Sequence, residues 1–151
     1  MVRYALMVVA IGFVVSAQVG AQDNKDEAVK KERAKMAGTW KVVSWEEDGK
    51  KQHTDEVLGK FLVTIDAAGK ITVDFDGKRI VEATSKIDPT KTPKTLDQTF
   101  TKGGGGAGKT SLWIYELKGY TLKICAAAPG DPRPAEFKGN TLQVWKRQKG
   151  K

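Results

Sequence analysis

The chain has 151 residues, with 26 lysines and arginines against 18 aspartates and glutamates, a net charge of +8. That length holds one domain. A single cysteine excludes an intramolecular disulfide. With only one histidine beside it, no Cys/His cluster of the kind that binds zinc can form, so stability must come from a packed core.

Residues 1–21 read as a secretory signal peptide. Arg3 supplies the positive start, Tyr4 to Val15 the apolar stretch, and Val19-Gly20-Ala21 the small residues of a cleavage site. The apolar stretch is short for a membrane span, although a retained anchor is the alternative. Gln22 follows the expected cut, so a lipoprotein cysteine is not indicated. Cleavage removes one base and no acid, and 25 against 18 leaves +7. The expectation is an exported protein, periplasmic or extracellular.

Residues 22–37 are expected to form an N-terminal helix or linker, with the helix over 23–37. Asn24 and Glu27 have capping-box spacing, and Asp26–Lys30 and Glu27–Lys31 are i, i+4 pairs. The apolar stripe is thin: Ala28, Val29, Met36 and Ala37. A flexible linker is the alternative for the first half.

From Gly38 the period becomes two. Strands are predicted at 39–46, 60–66, 70–75, 79–87, 94–100, 111–117, 120–126 and 141–148. Phe61, Val63 and Ile65 share one face, as do Ile71, Val73 and Phe75. Asp76-Gly77 and Lys118-Gly119 are tight hairpin turns. Eight strands joined by short turns, with no helical pattern between them, predict an all-β fold. It is an eight-stranded antiparallel up-and-down barrel over 38–148 that leaves no open edge. A two-sheet sandwich is the alternative.

Residues 103–110, GGGGAGKT, fit the phosphate-binding pattern G-x-x-x-x-G-K-[ST]. That chemistry needs a helix beginning at the Lys-Thr, because its N-terminus completes the anion site. SLWIYEL follows instead, which reads as a strand. The segment is expected to be a glycine-rich loop between the fifth and sixth strands, with no nucleotide bound.

Two features carry a resemblance. Gly38-Thr39-Trp40 opens the first strand after a short helix, and Lys146-Arg147 lies on the last. The arrangement resembles lipocalins, in which such a tryptophan closes one barrel end beneath a basic side chain. Strand parity leaves open whether Lys146 or Arg147 reaches Trp40. GTWKVVSWEEDGK (38–50), IDPTKTPKTLD (87–97), GKTSLWIYELKGYTLKIC (108–125) and PRPAEF (132–137) together resemble a lipocalin-like domain family of unknown function, multi-copy in planctomycete bacteria. The resemblance spans about residues 36–147. It implies the calycin-type barrel but no activity.

For catalysis the chain offers little. His53 lies in a polar loop, Asp74, Asp76 and Glu82 suit a solvated face, and Cys125 reads as a buried small hydrophobe. The expectation is a non-enzymatic binding module, without cofactor or metal, for a small apolar or amphipathic ligand. Candidate ligand contacts are Trp40, Phe61, Val73, Trp113 and Tyr115 within the barrel, and Arg133 at its mouth. Arg133 would meet an anionic group or pair with Glu136. The alternative is a filled barrel acting as an interaction module for an anionic envelope component, drawn by the positive charge. Nucleic acid is not an expected partner of an exported chain.

Overall fold

The computed structural model describes residues 16–150. The apolar stretch from Tyr4 to Val15 lies outside the described residues. In chain order the elements are α1 (Ser16–Met36), β1 (Gly38–Glu47), β2 (Lys50–Lys51), α2 (Asp55–Leu58), β3 (Phe61–Ile65), β4 (Lys70–Phe75), β5 (Lys78–Asp88), β6 (Lys94–Lys102), β7 (Thr110–Lys118), β8 (Thr121–Ala126) and β9 (Thr141–Arg147).

Each strand from β3 to β8 pairs antiparallel with its successor, and β1 pairs with β3. The ring closes where β1 meets β9, from Trp40 opposite Arg147 to Glu47 opposite Thr141. The result is a closed eight-stranded antiparallel barrel, with β2 a short flap on β1. Closure satisfies the edge groups of both terminal strands. The Asp48-Gly49 and Asp76-Gly77 turns hold both residues at positive φ (49° and 79°, 50° and 80°), the geometry that matches strand twist in a two-residue hairpin.

Four local expectations are corrected. Helix α1 spans Ser16–Met36, longer than the expected 23–37, and Asn24 sits inside it rather than capping it. Glu27 does pair with Lys31 at 2.9 Å, but Asp26 accepts from Gln22 Nε2 instead. A single-turn helix, α2, does interrupt the strands. Thr54 caps it by accepting from the Val57 amide, and it buries Leu58 against the core.

Helix α1 closes one barrel end through a stripe with helical spacing. Lys25 reaches Asp88 at 2.9 Å, Glu32 reaches Lys94 at 2.6 Å, and Arg33 donates to the Ser85 carbonyl at 2.5 Å. Val29 and Met36 add apolar contact. Trp40 is fully buried just inside this end, its indole N–H donating to the Met36 carbonyl at 2.9 Å. Arg147 lies across the Trp40 ring at 4.4 Å and donates to the carbonyls of Ala37 and Lys35. Arg147, not Lys146, is therefore the basic residue over the tryptophan.

Candidate functional site

At the end opposite Trp40 the barrel encloses a cavity of ≈ 290 Å³. The turns that rim this end are the β4–β5 hairpin, the glycine-rich β6–β7 loop and the start of the β8–β9 loop. The walls are mainly apolar and aromatic, with Trp45, Phe61, Val73, Trp113 and Trp145 among them. Trp113 and Trp145 meet edge to face at 6.2 Å, and Phe61 tilts against Phe75 at 4.7 Å.

Two of three register shifts in the barrel set which side chains line the mouth. The register of β1 against β9 shifts between Val42 and Ser44. The extra residue reverses the alternation, so Trp45 turns into the cavity although Trp40 and Val42 set the opposite parity. A second shift, between Val73 and Asp74, leaves Ile80 as the extra residue on β5. Ile80 and Val81 then both border the cavity.

The polar groups of the wall are few. Gln98 on β6, Ser111 on β7 and Gln143 on β9 are all buried and inward facing. The Ser111 hydroxyl donates to the Ala127 carbonyl at 2.5 Å and accepts from the Trp113 indole at 2.6 Å. Gln143 Oε1 accepts from the Trp145 indole at 2.7 Å. Gln98 Oε1 has no hydrogen-bond partner. No charged side chain lines the cavity.

Of the residues singled out from sequence, Phe61, Val73 and Trp113 line this cavity. Trp40 and Tyr115 do not. Trp40 is the plug of the far end, and Tyr115 is buried beside Glu32, where burial and that carboxylate push its phenol upward. Arg133 sits on the outer side of β6 and β7. It pairs with Asp97 at 2.5 Å and donates to the Trp113 carbonyl at 2.7 Å; Glu136 is not its partner. It pins the 127–140 loop to the barrel wall.

Sequence reading missed Gln98, Ser111, Gln143 and Trp145. Parity alone places Gln98 inward, because Leu96 and Phe100 flank it at period two, but its polarity argued against a core position.

GGGGAGKT spans the β6–β7 connection, and Lys109-Thr110 leads into strand β7 rather than a helix. The Thr110 hydroxyl lies 2.9 Å from that of Thr99 on the neighbouring strand. The glycines serve close packing. A Cβ on Gly104 would come within 2.0 Å of the Phe100 ring, and one on Gly103 within 2.1 Å of the Ile80 carbonyl. Gly104 thereby becomes part of the cavity wall.

The remaining reactive side chains lie elsewhere. Cys125 faces outward beneath the β8–β9 loop, 3.6 Å from the Gly139 carbonyl, and burial pushes its thiol upward. His53 is exposed, stacked by its edge on Trp45 at 5.1 Å. Among the described residues no three of His, Cys, Asp and Glu gather as a metal site would require. Comparison of the chain with protein-family models, with curated proteins and with solved structures returns no match.

Proposed function

We propose that this protein is an exported lipocalin-like carrier that binds one small apolar or amphipathic molecule in its barrel and does not transform it. The supporting observation is the cavity itself: ≈ 290 Å³, walled by aromatic and aliphatic side chains, at the end of the barrel that α1 and Trp40 leave free. Its size is at the small end of ligand pockets, which run about 300–1,000 Å³. Trp45, Trp113 and Trp145 offer large contact area at low conformational cost. His53 and Cys125 do not line the cavity, so no nucleophile–base pair faces a bound molecule.

The test is mass spectrometry of an organic extract from the full chain purified from its own host. One small molecule in stoichiometric amount is expected. An empty extract, together with no heat of binding for any apolar probe in calorimetry, would overturn the carrier reading.

A further inference from the structure

The Gln98 amide is out of place in a core. It is 3 % exposed and flanked inward by Leu96 and Phe100 on its own strand. A buried polar atom without a partner destabilises the fold that buries it. Leucine or methionine would fill the same space without that cost.

Its neighbours do not satisfy it. Gln98 stands opposite Ser85 on β5 and Ser111 on β7. The Ser85 hydroxyl donates to the Gly69 carbonyl at 2.7 Å and accepts from Arg33. The Ser111 hydroxyl is committed to Ala127 and Trp113. The indole N–H groups of Trp113 and Trp145 are also taken, by Ser111 and Gln143. Around the cavity the Ser111 hydroxyl, both indole N–H groups and Gln143 Oε1 are paired, whereas Gln98 Oε1 is buried without a partner; the half-buried Thr141 hydroxyl is the other polar group of the lining.

The charge of the wall narrows the ligand further. An anionic head would find no cation along the lining, and a cationic one no carboxylate. An anion would be buried unpaired, which is costly, and a cation would have only the tryptophan faces. A hydroxyl has none of these difficulties. It donates to the glutamine oxygen and accepts from the amide nitrogen, so it suits a carboxamide in either orientation.

Resting on the carrier reading, we infer that the cavity takes a neutral, mainly apolar molecule bearing one hydroxyl, and that this hydroxyl docks on the side-chain amide of Gln98. The remainder of the ligand lies against Trp45, Phe61, Trp113 and Trp145.

Calorimetric titration of the full chain with four probes of one size tests it: 2-naphthol, naphthalene, 2-naphthoate and the cation trimethylanilinium. 2-Naphthol is expected to bind at least about tenfold tighter than the other three, the factor that one unmade buried hydrogen bond implies. In Gln98→Met the preference for 2-naphthol over naphthalene should fall to about one, and the melting temperature should rise. Equal binding of naphthalene and 2-naphthol to the natural chain would leave the carrier reading standing and overturn the hydroxyl assignment. So would a preference for either ion. A Gln98→Met variant that melts lower, or that keeps the preference, would overturn the role of Gln98. If none of the four probes binds, this inference is overturned, while the carrier reading stands or falls with the organic extract.

Discussion

The Arg147 guanidinium lies 4.4 Å from the centre of the Trp40 indole and at the same time donates to the carbonyls of Ala37 and Lys35. One side chain therefore ties the last strand to the first and to the end of α1. The two carbonyls belong to the last turn of the helix and the residue after it, groups that have no intrahelical partner. The planar fork reaches both while its face stays on the ring, which a lysine ammonium cannot do. Arg147→Lys is expected to lower stability by about 1–3 kcal/mol. Urea denaturation would read this; a loss under about 0.5 kcal/mol, the range of ordinary surface substitutions, would mean that the fork holds nothing. Binding of 2-naphthol at the opposite end should be unaffected.

The glycine-rich loop gives a contrast within one motif. Lys109 is exposed, and Thr110 is already in β7. Lys109→Ala should change stability by less than about 0.5 kcal/mol. Gly104 has φ of 61°, and a Cβ there would collide with the Phe100 ring. Gly104→Ala should cost about 1–3 kcal/mol, from the backbone conformation and the displaced ring, and should weaken 2-naphthol as Phe100 is pushed toward the cavity. Comparative thermal melts of the two variants would decide. Equal effects would mean that the loop does not pack as described.

Alternation along the strands made the barrel legible. Period two puts Phe61, Val63 and Ile65 on one face and Ile71, Val73 and Phe75 on one face; the first four are buried, and Val73 and Phe75 are partly buried against the same core. The bulges were not legible, because an extra residue in a strand leaves no mark in composition. Trp45 was lost for that reason: the shift beyond Val42 turns it inward against the parity that Trp40 sets. Trp40 and Tyr115 were assigned to the ligand because parity reports only the inward face. It cannot tell the plugged end from the mouth, which depends on where α1 docks. That docking was itself obscured, because half of its stripe is polar. Lys25, Glu32 and Arg33 bind Asp88, Lys94 and Ser85, and such pairs join distant parts of the chain.

Asp88 predicts how the helix responds to acid. Its carboxylate accepts from the Thr90 hydroxyl at 2.6 Å and from Lys25 of α1 at 2.9 Å, and these partners hold its pKa down at about 2. Unfolded, it would titrate at about 3.9. The folded chain thus binds fewer protons at this site than the unfolded chain. The contribution is fully present above about pH 4 and is lost as the pH falls toward about 2. Denaturation series at pH 5, 4, 3 and 2 should show a shallower decline for Asp88→Asn than for the natural chain. Parallel declines would show that Asp88 is not an acid-sensitive anchor. Lys25→Ala should flatten the slope only in part, because Thr90 is the larger cause.

Arg133 separates a ligand anchor from a loop anchor. It is one of the side chains that sequence reading assigned to the ligand, yet its guanidinium rests on Asp97 and on the Trp113 carbonyl at the outer wall. Asp97 alternates with Leu96 and Gln98, so the ion pair and the cavity lie on opposite faces of the same strand. The loop it pins carries Ala127, Ala128 and Pro129 to the cavity rim. Arg133→Ala should therefore lower stability by about 1–3 kcal/mol, the usual range for losing hydrogen bonds to a charged group. Hydrogen exchange should rise across 127–140. 2-Naphthol should lose affinity only modestly, and equally with naphthalene, since the rim loosens without any polar contact to the ligand being removed. Asp97→Asn should reproduce a weaker form of the same pattern. A selective loss of an anionic probe such as 2-naphthoate in Arg133→Ala, with loop protection intact, would return Arg133 to the ligand.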